Sequence, residues 1–170
     1  MEDTDDWLWF QAVFSSKSLD EGAAFLGDGT FNSVPTMFKQ LYTIHAEVDG
    51  SAFPVVFVLM EESSSEAYEF IFNALKANGL VFKTFMTDFE NASRRAVRNV
   101  FCDVVVKGCW FHYTQAIVRR AKKVGLETAY RTSAFVNATI RRLFCHVFVE
   151  TGEVEDAVRS VENSSIPLGR

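Results

Sequence analysis

A hairpin signal constrains this chain more than any other feature. Tyr42, Ile44, Ala46 and Val48 alternate with polar neighbours, Asp49-Gly50 follows, and residues 53–60 (FPVVFVLM) form an unbroken apolar run. Alternation is the period of a strand with one buried face. Asp-Gly suits the tight turn that joins antiparallel strands. A run rich in β-branched and aromatic residues, apolar on both faces, reads as an interior strand. Residues 23–31 (AAFLGDGTF) read as an earlier buried strand that ends in the turn pair Asp28-Gly29. An antiparallel three-stranded meander is therefore predicted over residues 23–60.

Downstream the period changes. Ser65 reads as a helix N-cap, with Ser63 and Ser64 as competing candidates. Ala67, Phe70, Ile71, Ala74 and Leu75 fall at helical spacing, and Asn78-Gly79 supplies the stop. Residues 81–86 read as a strand leading into Thr87-Asp88, and 91–100 as a basic helix. Residues 104–106 read as a short strand before Gly108-Cys109, and 111–124 as a second basic helix closed by Gly125. Ile140, Leu143, Phe144, Val147 and Phe148 mark a further helix. Val154, Ala157, Val158 and Val161 mark a short amphipathic one. Residues 7–14 are apolar and fit either a helix or a strand. Residues 1–6 read as an acidic end, 15–22 as turn-like and 164–170 as a polar tail.

Three antiparallel strands followed by strands alternating with helices is an α/β pattern with a mixed five-stranded sheet flanked by helices. Crossovers after the third strand place the last two strands parallel to the first. The domain reading is an N-terminal extension (1–22), a core (23–126) and a C-terminal helical segment (127–170). The length of 170 residues, 48% hydrophobic content and 17 Phe exclude a disordered chain. No apolar run approaches the roughly 20 residues of a spanning helix, so no membrane partner is expected. Cys102, Cys109 and Cys145 are too few and too scattered for a disulfide framework. With no basic signal segment at the start, the expectation is an intracellular protein, nuclear or cytoplasmic, and not a secreted one.

The net charge of −5 conceals an asymmetry: residues 1–90 carry 15 acids and 4 bases, residues 91–142 carry 2 acids and 11 bases. That middle segment holds Arg94, Arg95, Arg98, Arg119, Arg120, Lys122 and Lys123. It reads either as a local site for an anionic partner or as two solvated helix faces.

Two acids stand out by position. Asp28 closes the first predicted strand and Asp88 the fourth. If those strands are neighbours, two carboxylates emerge from one region and repel when ionised. A divalent cation with a preference for oxygen, Mg²⁺ or Mn²⁺, relieves the repulsion. The plainer alternative is a turn residue at Asp28 and a helix cap at Asp88. Glu90 reads as a first-turn acid complementing the helix dipole. Cys109 and His112 have the C-x2-H spacing of zinc ligands, but a structural zinc site needs four. Only Cys102, Cys145 and His146 remain to complete it, in no regular pairing, so no zinc is expected. His45, in the alternating strand, reads as structural. No triad, Walker A or dinucleotide motif is present, so no small-molecule substrate is expected.

Taken in order, D-G-T-F (28–31), F-P-V-V-F-V-L-M, S-E-A-Y-E-F-I-F-N-A-L-K, M-T-D-F-E-N-A and G-C-W-F-H-Y-T-Q-A-I (108–117) resemble the catalytic domain of Mutator-like element (MULE) transposases. The likeness runs over about residues 26–124. It implies an RNase H-like fold with Asp28 and Asp88 as the first two members of a D-D-E triad that holds two Mg²⁺ or Mn²⁺ ions. It also implies cleavage and transfer of DNA ends, with transposon DNA as partner and a homo-oligomer as a possible assembly. Cys109 and His112 match the family's C-x2-H motif near the active centre. The basic residues after it then suit phosphate contacts.

In the family the third acid comes well downstream. Glu150, Glu153, Glu155 and Glu162 are the late glutamates here, and none stands in a matching context. The expectation is therefore a fragment of a longer family member. Three readings follow: a metal-dependent transposase core, a non-catalytic DNA- or protein-binding remnant, and another RNase H-like nuclease with a different set of acids.

Overall fold

The structure, a computed structural model, describes residues 8–12, 24–31 and 34–163. The expected acidic end, the 15–22 turn and the polar tail lie outside them. The chain forms two compact units, Met1–Cys109 and Trp110–Arg170.

The first unit is built on one mixed sheet. Its strands are β1 (Leu8–Ala12), β2 (Ala24–Thr30), β3 (Gln40–Val48), β4 (Ser51–Met60), β5 (Thr84–Thr87) and β6 (Val105–Gly108), in the spatial order β1-β4-β3-β2-β5-β6. The five expected strands form as expected: β2, β3 and β4 are antiparallel neighbours, and β5 and β6 run parallel to β2. The apolar 7–14 segment, compatible with two structures by sequence, supplies a sixth strand, β1, antiparallel to β4.

The β3–β4 turn is as tight as its sequence implies. Asp49 has φ 52° and Gly50 φ 74°, the two positive values a type I′ turn requires. The pair Asp28-Gly29, by contrast, is not a turn. β2 runs on through it, with Asp28 opposite Thr43, Gly29 opposite Tyr42 and Thr30 opposite Leu41. The glycines serve close packing instead. A Cβ at Gly27 would strike the Tyr42 hydroxyl and come within 2.7 Å of Phe85, and one at Gly29 would lie 2.7 Å from Gln40 Oε1.

Helices α1 (Ser65–Ala77) and α2 (Asn91–Val100) pack on one face of the sheet. Ser64 is the α1 cap, its hydroxyl accepting the Ala67 N–H at 3.1 Å, so Ser65 belongs to the first turn. The buried face of α1 is Ala67, Tyr68, Ile71, Phe72 and Leu75. Phe70, which periodicity assigned to that face, is 49% exposed. Ile71 and Leu75 share a helix stripe with either set, and the sheet selects the one that includes Tyr68 and Phe72. These meet Phe25, Tyr42, Ile44, Ala46, Val56, Val58, Met60 and Phe85 from the sheet and Ala96, Val97 and Val100 from α2.

The second unit is helical: α3 (Trp110–Lys123), α4 (Glu127–Thr132), α5 (Ala134–Leu143) and α6 (Val154–Asn163). The helix expected through Phe148 stops at Leu143, and Phe144–Phe148 tightens into a 3-10 turn. Side chains take up carbonyls at that junction: the Trp110 indole donates to Phe144 O at 3.2 Å and the Tyr113 hydroxyl to Leu143 O at 3.1 Å. The last carbonyls of a helix lack intrahelical partners, and side-chain donors such as these satisfy them. The six-residue α4 is too short to show a helical period, and α5 begins at Ala134, six residues before the first residue by which the sequence marked it, Ile140. Ser133 caps α5 by accepting the Val136 N–H. No helix among the described residues is long and apolar enough to cross a membrane.

Candidate functional site

The parallel pairing of β2 with β5 builds the site. Its register runs Ala24–Thr84, Phe25–Phe85, Leu26–Met86 and Gly27–Thr87. One step past this register come Asp28, still within β2, and Asp88, the first residue after β5; paired strands lie about 4.8 Å apart in a sheet. The sequence reading needed those strands to be neighbours, and they are. Phe25, Gly27, Phe85 and Thr87 are buried, whereas Leu26, Asp28, Met86 and Asp88 are each part-exposed. The acids therefore fall on the half-open positions of their strands, where a carboxylate meets solvent or ligand.

Both plain alternatives can be read against this geometry. Asp28 is inside a strand and does no turn work; its carbonyl oxygen accepts from the Thr43 hydroxyl at 3.4 Å. Asp88 does brace a helix entrance. Its Oδ1 accepts the Glu90 N–H at 3.0 Å and lies 3.5 Å from the Thr87 hydroxyl. That bond fixes the turn between β5 and α2 and holds the Asp88 carboxylate to it.

Glu90, read as a dipole-complementing acid, has a larger part. It occupies the N-cap position of α2 without a side-chain cap bond. Its Oε2 instead accepts the Tyr68 O–H at 2.7 Å, and Tyr68 in turn accepts from Gln40 Nε2 at 2.6 Å. Burial first, and then the neighbouring Asp88 charge, push the Glu90 carboxyl above the ordinary glutamate range, against the opposing pull of Tyr68. Burial likewise raises the Tyr42 and Tyr68 hydroxyls, and Tyr42 stays a neutral partner of Ser93 at 2.9 Å. A polar chain Gln40–Tyr68–Glu90 thus runs from β3 through α1 to the turn that carries Asp88. Sequence offered no signal for it, because its members come from three separate elements.

Tyr68→Phe tests that chain. It removes the hydroxyl that donates to Glu90 and accepts from Gln40, leaving Gln40 Nε2 to the weak Met60 sulfur acceptor at 3.1 Å, which costs about 1–3 kcal/mol. The sign with pH follows from Glu90. A raised carboxyl means that the folded chain holds more protons than the unfolded one just above the ordinary glutamate range, so stability falls as pH climbs through that window. Removing Tyr68 raises the carboxyl further. Urea unfolding should therefore show Tyr68→Phe losing more stability at pH 8 than at pH 5; equal losses would contradict the linkage.

The other predicted residues separate. Arg94, Arg95 and Arg98 lie on α2; Arg119, Arg120, Lys122 and Lys123 are exposed on α3, where Lys122 pairs with Glu127 at 3.1 Å. Cys109 ends the first unit, with its N–H donating to Thr87 O at 2.8 Å, and His112 is half-buried in the first turn of α3 in the second unit. Among the described residues no group of three or more His, Cys, Asp or Glu is arranged to hold a metal ion. Two carboxylates are sufficient for one Mg²⁺, which binds through one or two carboxylates and fills its remaining positions with waters and substrate phosphates. Asp28 and Asp88 offer oxygen donors of the kind such an ion takes.

No curated protein matches the chain. The family model of the MULE transposase domain matches residues 25–116, more than half of the sequence and a span that takes in β2, both acids, Cys109 and His112; the chain belongs to the MULE transposase domain family.

Proposed function

We propose that this transposase-derived domain cleaves DNA phosphodiester bonds with divalent metal, Mg²⁺ or Mn²⁺, held by Asp28 and Asp88. The observation that supports the reading is the β2–β5 register, whose last pair, Gly27 and Thr87, immediately precedes the two acids. Two ionised carboxylates so close favour a cation between them. A bound Mg²⁺ or Mn²⁺ would supply charge for the phosphate oxygens and a more acidic water. The chain's own residues would do the rest. Asp28 is held within β2 by its pairing with Thr43 of β3. Asp88 is oriented by the Glu90 N–H. Glu90 is tethered by Tyr68, which keeps its carboxylate from swinging toward the acid pair.

A second reading has its own observation. The arginines of α2 present a cationic face independent of the acids, which suits DNA binding without cleavage. Nicking of supercoiled plasmid separates the two. The first reading expects relaxed product in Mg²⁺ or Mn²⁺ and none in EDTA. Absence of metal-dependent product, with DNA binding retained, would leave the second.

A further inference from the structure

Helix α2 (NASRRAVRNV) contains no acid. At about 100° per residue, its buried residues Ser93, Ala96, Val97 and Val100 share one side. Arg94, Arg98, Asn91, Arg95 and Asn99 fan over the other. A solvated helix face ordinarily mixes signs through i,i+4 pairs. Here, among the described residues, no guanidinium of Arg94, Arg95 or Arg98 is in an ion pair.

These side chains, with Ser65 of α1, line a cleft of about 580 Å³. Two of the arginines are already fixed in place. Arg95 Nη2 donates to the buried Ser65 hydroxyl at 2.7 Å. Arg94 lies over the Phe89 ring at 5.5 Å, and its buried Nε–H has no acceptor. Asn99 engages Glu69, an acid of α1, at 2.6 Å. Arginine and amide N–H groups dominate the lining, and arginine can only donate. Such a lining suits an anion, and planar guanidiniums suit phosphate in particular. Prefixed guanidiniums also lose little rotamer freedom on binding.

The donors extend over residues 91–99, about 12 Å of helix at 1.5 Å per residue. That length exceeds one phosphate and matches a run of them, since each DNA strand carries one charge per about 3.4 Å of axis. The row begins three residues after Asp88. We propose that the α2 cleft binds the phosphodiester backbone of DNA, carrying a strand along Arg94, Arg95 and Arg98 away from the Asp28–Asp88 pair. The inference rests on the DNA part of the reading above and not on cleavage.

The test is fluorescence anisotropy of the full chain with a labelled non-specific duplex in EDTA, where cleavage plays no part, over a range of salt. The triple variant R94Q/R95Q/R98Q should weaken binding at least about tenfold and flatten the plot of log affinity against log salt by about 2–3, close to one per lost phosphate contact. R94K/R95K/R98K keeps the charges and should retain the slope. Circular dichroism of the triple Gln variant matching wild type excludes misfolding as the cause of its loss. Tripolyphosphate at equal phosphate concentration should compete poorly. Unchanged affinity and slope in the triple Gln variant would overturn the proposal, as would tripolyphosphate competing as well as DNA, which would make the cleft a site for small anions. Failure to nick plasmid with this binding intact would defeat the catalytic reading alone.

Discussion

Asp28→Asn and Asp88→Asn should each abolish metal-dependent nicking while leaving the fold intact. In the proposed site the two negative charges would attract a cation, and neutralising either would remove half of that charge and one ligand. Even outer partners of a metal ligand cost about 10–100-fold in affinity or activity when lost, so removal of a ligand should lower Mn²⁺ affinity by at least about a hundredfold. Asn is chosen because its Oδ1 still accepts a hydrogen bond. At position 88 it preserves the Glu90 N–H contact at 3.0 Å, and at position 28 the strand pairing is made by backbone. Mn²⁺ titration followed by electron paramagnetic resonance gives a readout independent of catalysis. Full Mn²⁺ affinity in both variants would remove Asp28 and Asp88 from the site.

Phe72→Ala is the substitution expected to damage the fold most. Phe72 is fully buried, and its ring packs edge-on against Phe85 at 5.5 Å, Phe82 at 6.1 Å, Phe101 at 6.4 Å and Tyr42 at 6.5 Å. It touches β3, β5 and the segments flanking β5 and α2, so the void has neighbours on every side that cannot all collapse into it. Phe→Ala in such a core costs about 3–5 kcal/mol, out of a total of about 5–15 kcal/mol for an ordinary domain. Phe70→Ala, two residues earlier on the same helix, removes a ring that is 49% exposed and should cost under about 1 kcal/mol. Urea denaturation of the two variants checks the pair. A larger loss at Phe70 would mean that α1 faces the sheet with its other side.

That contrast shows where local pattern stops being informative. Phe70 and Phe72 both lie beside the Ile71–Leu75 stripe, so helical spacing admits either edge. Only the rings of Phe82, Phe85 and Phe101, brought up from later in the chain, decide which edge is interior. Likewise Asp28-Gly29 carries a turn composition, yet β3 pairs across it. Gly27 and Gly29 are there because Tyr42, Phe85 and Gln40 fill the space a Cβ would need. At the junction before the 3-10 turn Phe144–Phe148, Trp110 and Tyr113 reach the Phe144 and Leu143 carbonyls from another helix, contacts that no local pattern shows.

The order of elements from β2 to α3, the Asp49-Gly50 hairpin, the parallel sense of β5 and β6 and the family resemblance were all written in the residues. Each depends on near neighbours in the chain or on motif order, and periodicity and turn chemistry are local properties. The pairing of β2 with β5, the tether of Glu90 through Tyr68 to Gln40, and the Ser65–Arg95 bond in the α2 cleft were decided only on folding. They join residues far apart in sequence, and register between such segments is set by how helices and sheet fill one interior, a sum over many contacts that no short stretch of sequence contains.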